Sequence, residues 1–130
     1  MLLNKPGSIL VRVSIALVWL YQGLWCKLLS GAPQHAAVVG AVPFIGPAAA
    51  KAVLIALGLA ECGIAVWVLS AMRMRLAAIT QTMLLIAMNS GGIIWAWHLI
   101  PDPAGMLVQN FAFLVLIWIA TEDRQHVAHA

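Results

Sequence analysis

The sequence predicts an all-α integral membrane protein, a bundle of four helices, and three observations support this. Hydrophobic residues make up 64% of the 130 residues and charged residues only 8%, against roughly 45–50% and 25% in a typical globular domain. Seven basic and four acidic side chains cannot cover the surface of a soluble protein of this size. Four apolar runs each approach the roughly 20 residues that span a bilayer. We therefore expect one membrane domain over residues 1–130, with lipid around much of its surface.

The predicted spans lie at about 9–29, 50–70, 76–98 and 103–120, followed by a polar tail over 121–130. The last two connections are short, and prolines stop the helix before the fourth span. The first connection, 30–49, is long and apolar, but Pro43 and Pro47 would break a further span. It is expected to be partly re-entrant or to lie at the interface, with one or two helical turns around 34–39.

Basic residues near the ends of the spans predict that both termini face the cytoplasm. In that orientation five basic residues lie inside and two outside, as the positive-inside rule favours. The inside set is Lys5, Arg12, Arg73, Arg75 and Arg124, and the outside set is Lys27 and Lys51. A cleaved signal peptide at the N-terminus is less favoured, because polar side chains interrupt the first run. The expected location is the bacterial cytoplasmic membrane.

Several function classes find no support in the sequence. The net charge of +3 is small and scattered, which argues against nucleic-acid binding. No phosphate-binding, dinucleotide or haem-attachment motif occurs. Cys26 and Cys62 form no zinc pattern, so they are either buried small residues or a redox pair. No metal is predicted, and His35 and His98 are weak candidates because their separation matches no metal-binding motif.

Glu61 is the most unusual residue, because it lies inside an apolar run near the middle of the second span. At about 1.5 Å per residue it lies roughly 16 Å from the outer end of its helix. A carboxylate at that depth marks a proton relay, a ligand site or a buried pair. In hydrocarbon, polar side chains must find one another. We expect a polar cluster in the outer half of the bundle, with Lys27 as a possible cation at its lid: Gln22, Glu61, Asn89 and Asn110.

Three further residues complete the candidate site. Arg12 and Gln81 would form a second, inner level. The Arg12 guanidinium either reaches the cytoplasmic headgroups or turns inward to pair with Glu61. Trp19 falls in mid-span on the polar stripe of the first helix, where it either packs in the core or stacks on a flat ligand.

These residues resemble the pattern of the DoxX-like family of small four-helix membrane proteins. The matching stretches run through all four predicted spans. The resemblance rests on an arginine early in the first helix, a glutamine-glycine and a lysine toward its end, and a glutamate in the second helix. Arg12, Gln22, Gly23, Lys27 and Glu61 occupy those positions. Cys26 stands beside the lysine where a proline is common in relatives.

One branch of the family resembles the membrane subunit of a thiosulfate:quinone oxidoreductase, so the resemblance, together with the polar cluster, implies a membrane redox system as one role. A second branch is tied to thiol-stress complexes and an animal branch to receptor assembly. We therefore expect an accessory or quinone-binding subunit with oxidoreductase partners or a second copy of the chain, and no enzyme activity of its own. The alternatives are a scaffold or assembly factor whose polar cluster is structural, and a small-molecule transporter acting as an oligomer.

Overall fold

The computed structural model describes the backbone of residues 5–29, 31 and 34–129, and the side chains of residues 7–29, 31 and 34–122. Within this part of the chain the protein is helical and contains no strand. Four helical stretches are long and apolar enough to cross a membrane, with mean hydropathies of 1.6, 2.3, 1.4 and 1.8. These spans are Gly7–Leu28, Gly46–Ser70, Met74–Leu99 and Pro103–Glu122. The predicted all-α fold with four spanning helices is confirmed.

The first span changes its helix type along its length. It runs as an α-helix, α1, over Lys5–Leu20 and continues as a π-helical segment over Tyr21–Leu28. The wider turn is visible where the Leu29 amide donates to the Leu24 carbonyl, five residues back, at 2.8 Å. The sequence predicts a uniform helix over 9–29, and hydropathy does not distinguish the two helix types. π-Helical turns are rare and frequently mark functional sites.

In the described part of the chain, four further helices and one 3-10 turn follow the first span. They are α2 (Gln34–Gly40), α3 (Gly46–Ser70), α4 (Met74–Ala96), a 3-10 turn (Trp97–Leu99) and α5 (Pro103–His129). α2 provides the helical turns expected around 34–39. α3 begins earlier than predicted because Pro47 occupies its first turn, where the missing N–H removes no helical hydrogen bond. The backbone of the predicted tail continues α5 as far as His129.

The four long helices form a ring in which α1 packs on α3 and α5, α4 packs on α5, and the contact between α3 and α4 is smaller. α2 lies against α3 and also touches α4 and the π segment. We call the end where α2 lies the loop end. The opposite end, where α1 begins and α3 passes into α4, carries Arg12, Arg73 and Arg75, and we call it the basic end.

The apolar core fills the half of the bundle nearer the basic end. Its fully buried members come from all four long helices: Ile15, Ala16, Trp19, Ile64, Ala65, Val68, Ala78, Leu85, Ile117 and Ala120. Many large apolar side chains on the outer faces are exposed, as expected of a surface that meets lipid. By their positions along the helices, Gln22, Lys27, Asn89 and Asn110 lie nearer the loop end.

Candidate functional site

Two glycines bring the π segment and α3 into backbone contact. A Cβ added at Gly23 would lie 2.6 Å from the Gly58 carbonyl oxygen and 2.9 Å from the Glu61 Cβ. A Cβ added at Gly58 would lie 2.9 Å from the Leu28 Cγ. Only glycine fits at both positions, and small residues of this kind let membrane helices approach closely. This contact fixes Glu61 directly against the π segment.

Lys27 and Glu61 form an ion pair inside the protein. The Lys27 Nζ lies 2.9 Å from Glu61 Oε1 and donates a hydrogen bond to Oε2 at 3.1 Å. Glu61 is fully buried and Lys27 is only 6% exposed. The ammonium therefore turns inward rather than toward the headgroups. It also donates, at 3.5 Å, to the backbone carbonyl of Gln22 in the same π segment.

The buried ion pair leaves hydrogen-bonding capacity unused. Glu61 Oε1 is in ionic contact with the ammonium but accepts no hydrogen bond from the described residues. A carboxylate has about four lone-pair sites, and unsatisfied polar atoms in a protein interior are costly. The side-chain amide of Gln22, half-buried one turn before Lys27, likewise makes no hydrogen bond within the described part of the chain. Glu61 Oε1 and the Gln22 amide therefore have hydrogen-bonding capacity that the described residues leave unused.

The short helix α2 lies close to the lysine of this pair. His35 on α2 is half-buried. Burial lowers the pKa of His35 below its usual value of 6.5, and the nearby positive charge of Lys27 lowers this pKa further. The histidine beside the pair is therefore held in its neutral form more strongly than a free histidine.

The other buried polar candidates form separate pairs. The Asn110 Nδ2 donates to Asn89 Oδ1 at 2.8 Å, joining α5 to α4, and the Asn89 Nδ2 donates to the Leu85 carbonyl. The Trp19 Nε1 donates to Gln81 Oε1 at 2.8 Å, joining α1 to α4. The hydrogen bonds of the described residues thus connect the candidates in pairs, where the sequence suggested one cluster with a second inner level.

The contacts of Trp19 and Arg12 are with the protein itself and indicate a role in helix packing. Trp19 is 1% exposed and its ring lies 5.6 Å from that of Phe113, so both the ring and its N–H are occupied by the protein. The Arg12 Nη1 donates to the Leu69 carbonyl in the last turn of α3 at 3.0 Å. A cation there complements the negative end of the α3 dipole. Arg12 thus binds the end of α3, and among the described residues the ion pair of Glu61 is with Lys27.

The cysteine and histidine candidates form no metal-binding arrangement with the described residues. Cys26 is buried, Cys62 is half-buried, and both are free thiols. Among the described residues, no three His, Cys, Asp or Glu side chains come together in a way that could hold a metal ion. His98 is exposed in the 3-10 turn, edge-on to the Trp97 ring.

Comparison with known proteins identifies the family of the chain. A family model described as the DoxX-like family matches residues 16–118, which is most of the chain. The chain belongs to the DoxX-like family. No curated protein and no solved structure matches it. This DoxX-like protein is thus a small, multi-pass integral membrane protein whose surroundings are a lipid bilayer.

Sequence reasoning missed three features of this DoxX-like site. The π segment has no signal in hydropathy or propensity. The sequence indicates close approach of a neighbouring helix at Gly58, beside Glu61, but its partner Gly23 was missed, although a second glycine in a spanning helix is the expected partner. The bond between Trp19 and Gln81 could also have been found, because a mid-span indole N–H needs an acceptor.

Proposed function

We propose that this DoxX-like protein is an accessory subunit of a membrane redox system, and that it binds a quinone-like ligand beside Lys27 and Glu61. Its location would be the bacterial cytoplasmic membrane, and its partners would be oxidoreductase subunits or a second copy of the chain. The basic end of the bundle would face the cytoplasm, as the cluster of Arg12, Arg73 and Arg75 at that end favours. Both termini would then lie inside.

The buried ion pair with its spare acceptor is the observation that carries the proposal. A pair of neutral side chains would join two membrane helices with a smaller desolvation penalty than two buried charges. Glu61 Oε1 accepts no hydrogen bond within the described residues. A ring hydroxyl of a reduced quinone could donate to it, and the Lys27 ammonium could donate to a ring carbonyl of the oxidised form. A bound quinone would supply electron transfer, while Glu61 would hold or release a proton at Oε1.

Binding of a soluble quinone tests the proposal directly. The protein in nanodiscs is titrated with ubiquinone-1 and with menadione, and affinity is measured by calorimetry. We expect Glu61→Gln to weaken binding about tenfold, because a hydrogen bond to a charged group contributes about 1.5–3 kcal/mol. Thr82→Val is the matched control, since it removes a helix-to-helix hydrogen bond from the Trp118 Nε1 that involves neither Lys27 nor Glu61. Equal affinities for wild type and Glu61→Gln, or no binding by either, would refute the site.

A scaffold function is the second candidate, and the packing around Trp19 favours it. The indole is fully occupied by Gln81 and Phe113, so it offers no free face to a flat ligand. Asn89 and Asn110 also satisfy each other. A structural protein would need only such pairs to fix its helices.

Purification of the protein from native membranes in mild detergent distinguishes the two functions. Stoichiometric membrane partners that persist in Glu61→Gln, together with no quinone binding, would favour the scaffold.

A further inference from the structure

An open apolar groove lies between α2 and the first turns of α3, at the loop end of the bundle. Its volume is about 480 Å³. The walls consist of small side chains and one proline, with a single charged residue: Ala36, Ala37, Gly40, Ala41, Pro47, Ala50 and Lys51. The groove is formed because small residues on α2 allow close approach to α3, where a Cβ on Gly40 would lie 3.3 Å from the Pro47 Cα.

Within the described part of the chain, no acidic side chain neutralises the charge of Lys51. Lys51 is exposed and forms no ion pair with the described residues. The first turn of α3 contains no acidic residue. Lys51 lies in the first two turns of a helix that spans the membrane, so its ammonium is at the level where lipid headgroups meet the end of that helix. A cation in this position attracts anionic lipids.

We propose that this groove is a binding site for one anionic phospholipid. One acyl chain lies against the alanine walls, and the phosphate group contacts the Lys51 ammonium. An apolar wall with a single unpaired cation at its edge complements a molecule that has an apolar chain and a negative head. A lipid without net negative charge would contact the same walls, but its electrostatic attraction to the Lys51 ammonium would be weaker. The proposal does not depend on the proposed quinone site.

Native mass spectrometry of the detergent-solubilised full chain tests this assignment. The protein is titrated with phosphatidylglycerol and with phosphatidylcholine of identical acyl chains. We expect the first bound phosphatidylglycerol to bind about fivefold more tightly, the effect of one basic residue near a charged lipid. Lys51→Gln should remove this preference. Arg75→Gln is the matched control, because Arg75 is also an exposed cation but lies at the basic end, away from the groove.

A substitution that fills the groove tests the proposal a second time, because its effect on lipid binding does not depend on charge. Ala37→Phe places a ring in the groove from the exposed face of α2 and should lower retention of both lipids, while circular dichroism confirms that the variant is folded. A phosphatidylglycerol with a diazirine in its acyl chain should cross-link to peptides containing residues 36–51. Equal binding of the two lipids by wild type, an unchanged preference in Lys51→Gln, or cross-links spread evenly over the four spans would overturn the proposal. A dimer that Ala37→Phe dissociates would assign the groove to a second copy and would also overturn it.

Discussion

Breaking the buried ion pair should destabilise the bundle far more than the removal of a surface charge. Lys27→Met removes the cation and keeps most of the length of the side chain, which leaves the Glu61 carboxylate without its ionic partner. Lys27 is 6% exposed and Glu61 is 0% exposed, so neither water nor salt screens the pair. Removing one member of such a pair costs about 3–5 kcal/mol, whereas a surface pair contributes about 0–1 kcal/mol. We therefore expect Lys27→Met to lose about 3–5 kcal/mol of unfolding free energy.

The double variant separates the cost of an unpaired charge from the cost of altered packing. Lys27→Met combined with Glu61→Leu replaces the pair by apolar side chains of similar length. Such replacements are often neutral or stabilising by about 1–4 kcal/mol. The double variant should therefore regain most of the stability that either single variant loses, and the double-mutant cycle should give a large coupling energy.

The free energy of unfolding can be measured by titrating the protein from dodecyl maltoside into SDS while following helical circular dichroism. Lys51→Met is the control, since it makes the same substitution at an exposed lysine and should change stability by less than about 1 kcal/mol. If the loss in Lys27→Met equals that of the control, or if the two single losses simply add in the double variant, the contacts of 2.9 and 3.1 Å do not couple the two helices and the site loses its basis.

Three further predictions follow from the same structure. Gly23→Ala should destabilise the protein by about 1–3 kcal/mol in the same SDS titration, because the new Cβ meets a backbone carbonyl. Gly63→Ala, which meets nothing within 4 Å, should be neutral or stabilising by up to about 1 kcal/mol. Asn110→Leu should lose about 0.6–1.7 kcal/mol, because Asn89 loses its inter-helix donor; an unchanged titration midpoint would contradict that pairing. The midpoint of thermal unfolding should fall as pH decreases through about 6.5, because the unfolded chain protonates His35 at its usual pKa while the folded state resists protonation. His35→Gln should flatten this decline, and an identical pH profile in both proteins would show that His35 has no part in it.

The sequence predicts the spans well because hydropathy reports burial in lipid directly. The four helices, their short connections and the helical turns on the long first connection all follow from apolar runs interrupted by prolines and glycines. The same reasoning singles out Glu61, since one carboxylate in an apolar run is conspicuous without any structure. Depth along each helix places Lys27 near the outer end and Glu61 roughly 16 Å below it, so depth alone does not predict that the ammonium reaches Glu61.

The choice of partners is not predictable from depth alone, because partners depend on how each helix is rotated. The sequence places Asn89, Asn110 and Glu61 in one cluster in the outer half of the bundle, yet Asn89 bonds to Asn110 on the neighbouring helix α5. The π segment changes the rotation of the first span beyond Leu20, and with it the direction in which Lys27 points. The end of α3 also offers Arg12 a nearby backbone carbonyl. These outcomes depend on tertiary packing that single-sequence patterns do not contain.

The polar contacts between spans differ in their desolvation cost, and that difference bears on function. Without a strong hydrophobic drive between helices in lipid, such bonds together with close contacts of small residues specify how the helices associate. Trp19–Gln81 and Asn89–Asn110 use neutral groups, and Arg12 donates to a backbone carbonyl at the end of α3. Only the pair of Lys27 and Glu61, among the described residues, places two opposite charges in the interior. A neutral pair would fix the same helix contact without the desolvation cost of two ions. The proposed function gives these charges a task, because a ligand would use the Glu61 oxygen that accepts no hydrogen bond from the described residues.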